Sequence, residues 1–250
     1  MELQNQAKKI IITCMCYFGT IPKEKLVADP IKNKMLQVLE NEEDFRELGQ
    51  MIIDKANEEN RDIIEVLKEY REFGTDQKHT WMKGSNTYAK EEVIKAYQYY
   101  PREWLEKSIA ASRENPLLLK YNRDRGGYRE LPDTTLKVGS KNSSAAHELG
   151  HRMEHIMPEI RQREKEFFER RVSEQGNVKI NLRKLTGNLN YRADEYAMDG
   201  NFIEPYMGKI NNGNYFEFLS MGVEKFWFKK YNGKEDTEFV SFIIGLLLGV

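Results

Sequence analysis

His147 and His151 stand four residues apart, with Glu148 beside the first, in the run His147-Glu148-Leu149-Gly150-His151. Side chains four apart on a helix lie one above the other, so both imidazoles can reach a single ion. Glu148 is turned slightly aside, where it would meet a water on that ion rather than the ion itself. Zinc lowers the pKa of such a water towards neutrality and polarises a carbonyl, and a glutamate so placed can take the proton and return it to a leaving amine. The spacing therefore predicts a Zn2+ site with His147 and His151 as metal ligands and Glu148 as general base. Only four histidines occur in the 250 residues, and two of them fall at this spacing. Arg152 departs from the strict pattern, which prefers an uncharged residue there.

His155 continues the series but stands eight positions from His147, about 12 Å along a helix axis. Three rings so spread cannot meet one ion, and His155 reads as a helix-face histidine. Glu154 and Met157 occupy the places of a glycine and a third histidine, which excludes the metzincin arrangement. The third ligand must come from further on, and a carboxylate is the abundant choice. Glu217 flanks an apolar stripe of Phe216, Leu219, Val223 and Phe226, and a packed helix would hold its carboxylate rigidly. Glu195, four residues before Asp199, competes with it, and Glu224, Glu204 and Asp194 stand behind both. Tyr206 and Tyr215 are candidate catalytic donors to an oxyanion, with Arg192 as a third. The run 134–138 reads as an edge strand against which a peptide substrate can lie extended.

These residues need a scaffold. Residues 31–73 carry apolar side chains at helical spacing and predict two or three amphipathic helices. Residues 74–90 are polar and glycine-broken, which reads as a loop. A helical stretch from about 91 to 113 is interrupted at Pro101. Gly126-Gly127 predicts a turn, and 128–131 and 134–138 have strand composition. Ser143 or Ser144 can cap a motif helix that starts at Ala145 and stops near Pro158. A charged helix over 159–173 follows, then an irregular stretch to 191. A hairpin is expected over 193–210 with its turn at Asp199-Gly200-Asn201, and a helix from 215 to about 228. Residues 239–250 form an apolar run of twelve, short of the roughly 20 a membrane span needs, and read as a core element.

The expected fold is α+β: a mainly helical, zincin-like domain over 96–250 with a small antiparallel sheet beside the motif helix. An N-terminal helical region over 1–95 would pack on it and could cover the cleft. Thirty-nine basic residues against 40 acidic ones, a net charge of −1, give no electrostatic case for a nucleic-acid or membrane partner. Cys14 and Cys16, one residue apart, read as reduced thiols. Residues 10–18 faintly suggest a signal peptide but lack a small-x-small cleavage site.

The stretch from about 100 to 250 resembles the zincin-like metallopeptidase domain of bacteriophage minor head, or head-morphogenesis, proteins. The resemblance rests on PREWLEKS (101–108), DRGGYREL (124–131), HELGHRMEH (147–155), DEY (194–196), PYMGKI (205–210) and EFLSMGVE (217–224). It implies metal ligands at His147, His151 and Glu217, with Glu148 as the base. It also implies a peptide or protein substrate, phage head proteins as partners, and a place in the bacterial cytoplasm or the virion. A structural head component with a non-catalytic zinc site is the alternative.

Overall fold

A computed structural model describes residues 29–130, 133–210, 215–228 and 236–250. Cys14, Cys16 and the run 10–18 lie outside the described residues.

The N-terminal part is helical, as its periodicity predicts: α1 (Pro30–Met35), α2 (Glu42–Glu58) and α3 (Ile63–Tyr70). Asn41 and Asp44 form a reciprocal capping box that starts α2. The segment expected as a loop already turns helical at Thr87, because Asn86 caps the new helix by accepting from the Ala89 amide. α4 (Thr87–Ala96) and α5 (Arg102–Glu114) are separated by a single 3-10 turn and Pro101.

A mixed three-stranded sheet follows: β1 (Leu118–Tyr121), β2 (Gly127–Arg129) and β3 (Thr135–Val138), in the order β1-β3-β2. β2 runs antiparallel to β3, with Gly127 opposite Lys137, while β1 runs parallel to it, with Leu119 opposite Leu136. The sheet is therefore not purely antiparallel. The expectation of an edge strand at 134–138 also fails. β3 is central, with its backbone pairing on both sides, and β1 and β2 are the edges.

The motif helix α6 (Ser144–Ile156) stops as Pro158 opens the charged helix α7 (Pro158–Glu174). Next come β4 (Lys179–Asn181), the short α8 (Leu182–Thr186) and β5 (Tyr196–Met198). The hairpin expected over 193–210 does not form as a ladder: β5 pairs antiparallel with β4, its forward pairing is a single antiparallel bridge between Ala197 and Lys209, and Pro205–Gly208 forms a 3-10 turn. Pro205 favours that outcome, since it removes an amide that a strand ladder would use.

Two apolar helices complete the core, α9 (Phe218–Phe228) and α10 (Thr237–Gly249). α10 crosses α2 at backbone contact: a Cβ on Gly49 would strike the Ser241 carbonyl, and one on Gly245 the Phe45 carbonyl. Arg71 donates to the Leu247 and Val250 carbonyls at 3.0 and 2.7 Å, satisfying the end of α10. One hydrophobic core runs from Ile31 on α1 to Leu248 on α10. No helix among the described residues is long and apolar enough to cross a membrane.

Candidate metal centre

α6 lies under the sheet and presents its polar face to a cleft of about 550 Å³. His147, Glu148 and His151 line that cleft together with Glu217, Glu224, Tyr206 and Tyr215. Its lining residues begin at Asp124, so the described N-terminal helices α1 to α3 do not line it.

Ser143 and Ser144 do not cap α6 with their side chains. The Ser143 hydroxyl donates to Glu224 Oε1 at 2.8 Å, and the Ser144 hydroxyl accepts from the Gly139 amide at 2.7 Å. Each is used to fix a neighbour of the site instead.

Glu217 does not sit inside α9, as the stripe suggests, but is the residue just before it, where its carbonyl accepts from the Met221 amide at 3.1 Å. Its carboxylate faces both imidazoles: Oε2 is 3.3 Å from His147 Nε2 and 3.4 Å from His151 Nε2. The three donor atoms lie within 4.8 Å of one another, and among the described residues this is the one such group of three. The cluster can hold a metal ion. Glycine makes the approach possible, because a Cβ on Gly150 would lie 2.8 Å from Ser220 Cα and 3.0 Å from the Tyr100 hydroxyl oxygen.

The outer nitrogens are occupied. His151 Nδ1 pairs with Glu154 Oε2 at 2.6 Å, and His147 Nδ1 with Glu224 Oε2 at 3.3 Å. A carboxylate on Nδ1 selects the tautomer in which Nε2 carries the lone pair and is free to ligate. Glu154 does more, since its Oε1 accepts from the Phe216 amide at 2.7 Å, next to Glu217. Behind it, Glu164 accepts from the Leu219 amide at 2.7 Å. Burial and the neighbouring Glu154 charge push the Glu164 carboxyl well above the usual range.

No protein-family model, curated protein or solved structure matches this chain.

The electrostatics of the cluster favour a cation. Burial works against a charge on His147, yet Glu217 and Glu224 outweigh it and raise the imidazole to about 9. His151 is likewise raised well above its ordinary value, with Glu217 and Glu154 overcoming burial. Glu217 is buried, which alone would raise it, but the two imidazoles hold it far below the carboxylate range. A metal ion would replace the protons these groups hold. Glu148 is 6% exposed, and burial raises its carboxyl against the pull of both histidines. Gly126 leaves it room: a Cβ there would press on Glu148 Oε1 and the Ser144 hydroxyl and force one of them to move.

The other candidates separate cleanly. Glu195 accepts from the Arg192 amide at 2.7 Å and lies 3.4 Å from Lys209, away from the cluster. Arg192 and Asp194 pair with each other on the surface, and Glu204 lies 2.8 Å from Lys225. Glu224 orients His147 rather than ligating. His155 is 2.6 Å from the Tyr128 hydroxyl. Arg152 is buried, and its guanidinium donates to the Ser108 hydroxyl and carbonyl at 3.2 and 3.4 Å, which accounts for a cation in the motif helix.

Tyr206 accepts from Arg125 Nη2 at 3.1 Å and from Lys209 Nζ at 2.8 Å. Both neighbours are pure donors, so the phenol's own proton remains available to an acceptor in the cleft. Burial keeps that proton on, pushing the phenol above its ordinary value. Tyr215 sets its ring edge-on to His151, with centroids 4.8 Å apart. Sequence reasoning missed the orienting roles of Glu154 and Glu224. Their acidity at three and seventy-seven positions from the histidines they serve carried no signal distinct from surface charge.

Proposed function

We propose that this chain is a zinc-dependent peptidase of phage or prophage association. The observation that carries the reading is the pair of Nε2 atoms facing one Glu217 oxygen, with Glu148 beside them at the floor of a solvent-open cleft. Around a tetrahedral ion with bonds of about 2.0–2.1 Å, neighbouring donor atoms sit about 3.3–3.4 Å apart. The 3.3 and 3.4 Å spacings fit that edge. Three protein ligands with a fourth side open to a cleft is the pattern of catalytic zinc, whereas bracing sites close all four positions.

Zinc held there supplies a Lewis acid that polarises a substrate carbonyl and acidifies water. The chain's own groups do the rest. Glu148 takes the proton of the attacking water and delivers it to the departing amine. Tyr206, held by Arg125 and Lys209, donates to the oxygen on which charge develops. The free edge of β2 beside the cleft can pair with an extended peptide backbone. The runs 205–210 and 217–224, on which the phage-head resemblance rests, carry Tyr206 and Glu217 and so lie at this site.

The test compares wild-type protein with Glu148→Gln at equal zinc content on a pool of denatured proteins. Zinc-dependent cleavage that falls by at least about 100-fold in the variant is expected. Absence of cleavage by both proteins would favour a bracing zinc in a structural head component.

A further inference from the structure

Next to the metal cleft lies a second recess of about 500 Å³, walled by Phe168 and Val172 on α7, Met198 on β5, and Ile210, Tyr215 and Phe216. Its floor is apolar, and charged Lys165, Glu169 and Lys209 stand among its lining. Tyr215 and Lys209 line the metal cleft as well, so the two cavities share a wall.

That wall is tied to the ligands. The Tyr215 ring stands edge-on to His151 at 4.8 Å, and the Phe216 amide is held at 2.7 Å by Glu154, the carboxylate that orients His151. Phe168 and Phe216 brace each other with ring centroids 5.5 Å apart. The recess is thus fixed about one aromatic ring away from a metal ligand. An extended chain advances roughly 3.3 Å per residue and turns successive side chains to opposite sides. A peptide in the cleft would therefore bring a side chain to the recess within one or two residues of the bond over Glu148.

We propose that this recess is a specificity subsite for a bulky apolar side chain of the peptide substrate, flanking the scissile bond. The assignment rests on the peptidase reading and names the substrate class that reading leaves open. The occupant follows from the shared wall of Tyr215 and Lys209: the apolar floor accepts the side chain, and the charged groups at its margin face the polar peptide backbone.

The probe is a pair of zinc-chelating peptide hydroxamates that differ in one side chain, leucine or serine, titrated into zinc-loaded full-length protein. The leucine compound should bind at least about 10-fold more tightly. Val172→Trp, which fills the recess, and Ile210→Lys, which charges a wall residue already 39% exposed, should each bring the ratio close to one at unchanged zinc content. Should Val172→Trp fail to fold, Ile210→Lys decides alone. Equal binding of the two compounds by wild type, or a ratio that survives the variants, overturns the subsite while leaving the metal centre intact. No binding of either hydroxamate to the zinc-loaded protein overturns both the subsite and the peptidase reading.

Discussion

Two imidazoles and one carboxylate can hold a metal ion, and the pair of carboxylates behind the rings would tune its affinity. Glu154 holds two donors at once, His151 Nδ1 and the Phe216 amide, and so links the second ligand to the segment that delivers the third. Glutamine in its place keeps one acceptor oxygen and must abandon one of the two donors. Glu154→Gln and Glu224→Gln are each expected to weaken zinc binding by roughly 10–100-fold, the usual range for such outer partners. Chelator competition measures this directly, and an affinity equal to wild type in both variants would refute the orienting role. The four-residue histidine spacing was legible because it follows from helix geometry alone. Glu217 was legible only through the apolar stripe beside it, and Glu195 competed because an isolated acid carries no mark of what it faces. The orienting roles of Glu154 and Glu224 were not legible, although Glu224 stood among the candidate ligands, since those roles exist only once α6 and α9 lie against each other.

At the scale of elements, the site depends on how closely α9 approaches α6. Gly150 sits where any side chain would meet Ser220 Cα at 2.8 Å, and that atom belongs to the backbone of α9. Alanine in place of glycine favours an isolated helix by about 1 kcal/mol. Here overpacking opposes it, at a cost of about 1–3 kcal/mol, and the relief available is a shift of α9 away from α6. Gly150→Ala is therefore expected to lower zinc affinity by about 10-fold or more, through displacement of Glu217, while α6 itself stays helical. Chelator competition together with circular dichroism reads both effects, and undiminished zinc affinity would mean that the helix contact does not position the ligand. The long helices were readable because their apolar periodicity repeats over several turns. β2 and β3 were readable from composition to within two residues, whereas β1 and β4 were not, because segments of three or four residues are too short for alternation to register. Partners were hidden for the same reason: β5 forms its ladder back to 179–181, with a single bridge forward from Ala197 to Lys209.

Across the whole molecule, the segment before α4 reaches the motif helix through a buried polar chain that runs by way of α5. His79 is 3% exposed, with Nδ1 2.5 Å from the Tyr97 hydroxyl and Nε2 2.8 Å from the Ser108 hydroxyl, which also accepts from Arg152 on α6. Burial, and then the Arg152 charge, lower the His79 imidazole from 6.5 to about 3. Above pH 6.5 this histidine is neutral in both folded and unfolded chains and contributes no pH dependence. Between about 6.5 and 3 the unfolded chain binds a proton that the folded one refuses, so stability falls as pH falls, by up to about 1.4 kcal/mol per unit. In metal-free protein His147 acts in the opposite sense: its pKa is raised to about 9, so its contribution is present below 6.5 and is lost as pH rises through 9. Comparing wild type with His79→Gln isolates the first effect, because His147 is common to both. Urea unfolding at pH 7, 6 and 5 should show the wild type losing its advantage over the variant step by step. A stability difference that stays constant across those three pH values would show that His79 accepts its proton in the folded state, and that the polar chain joining α5 to α6 tolerates a charge.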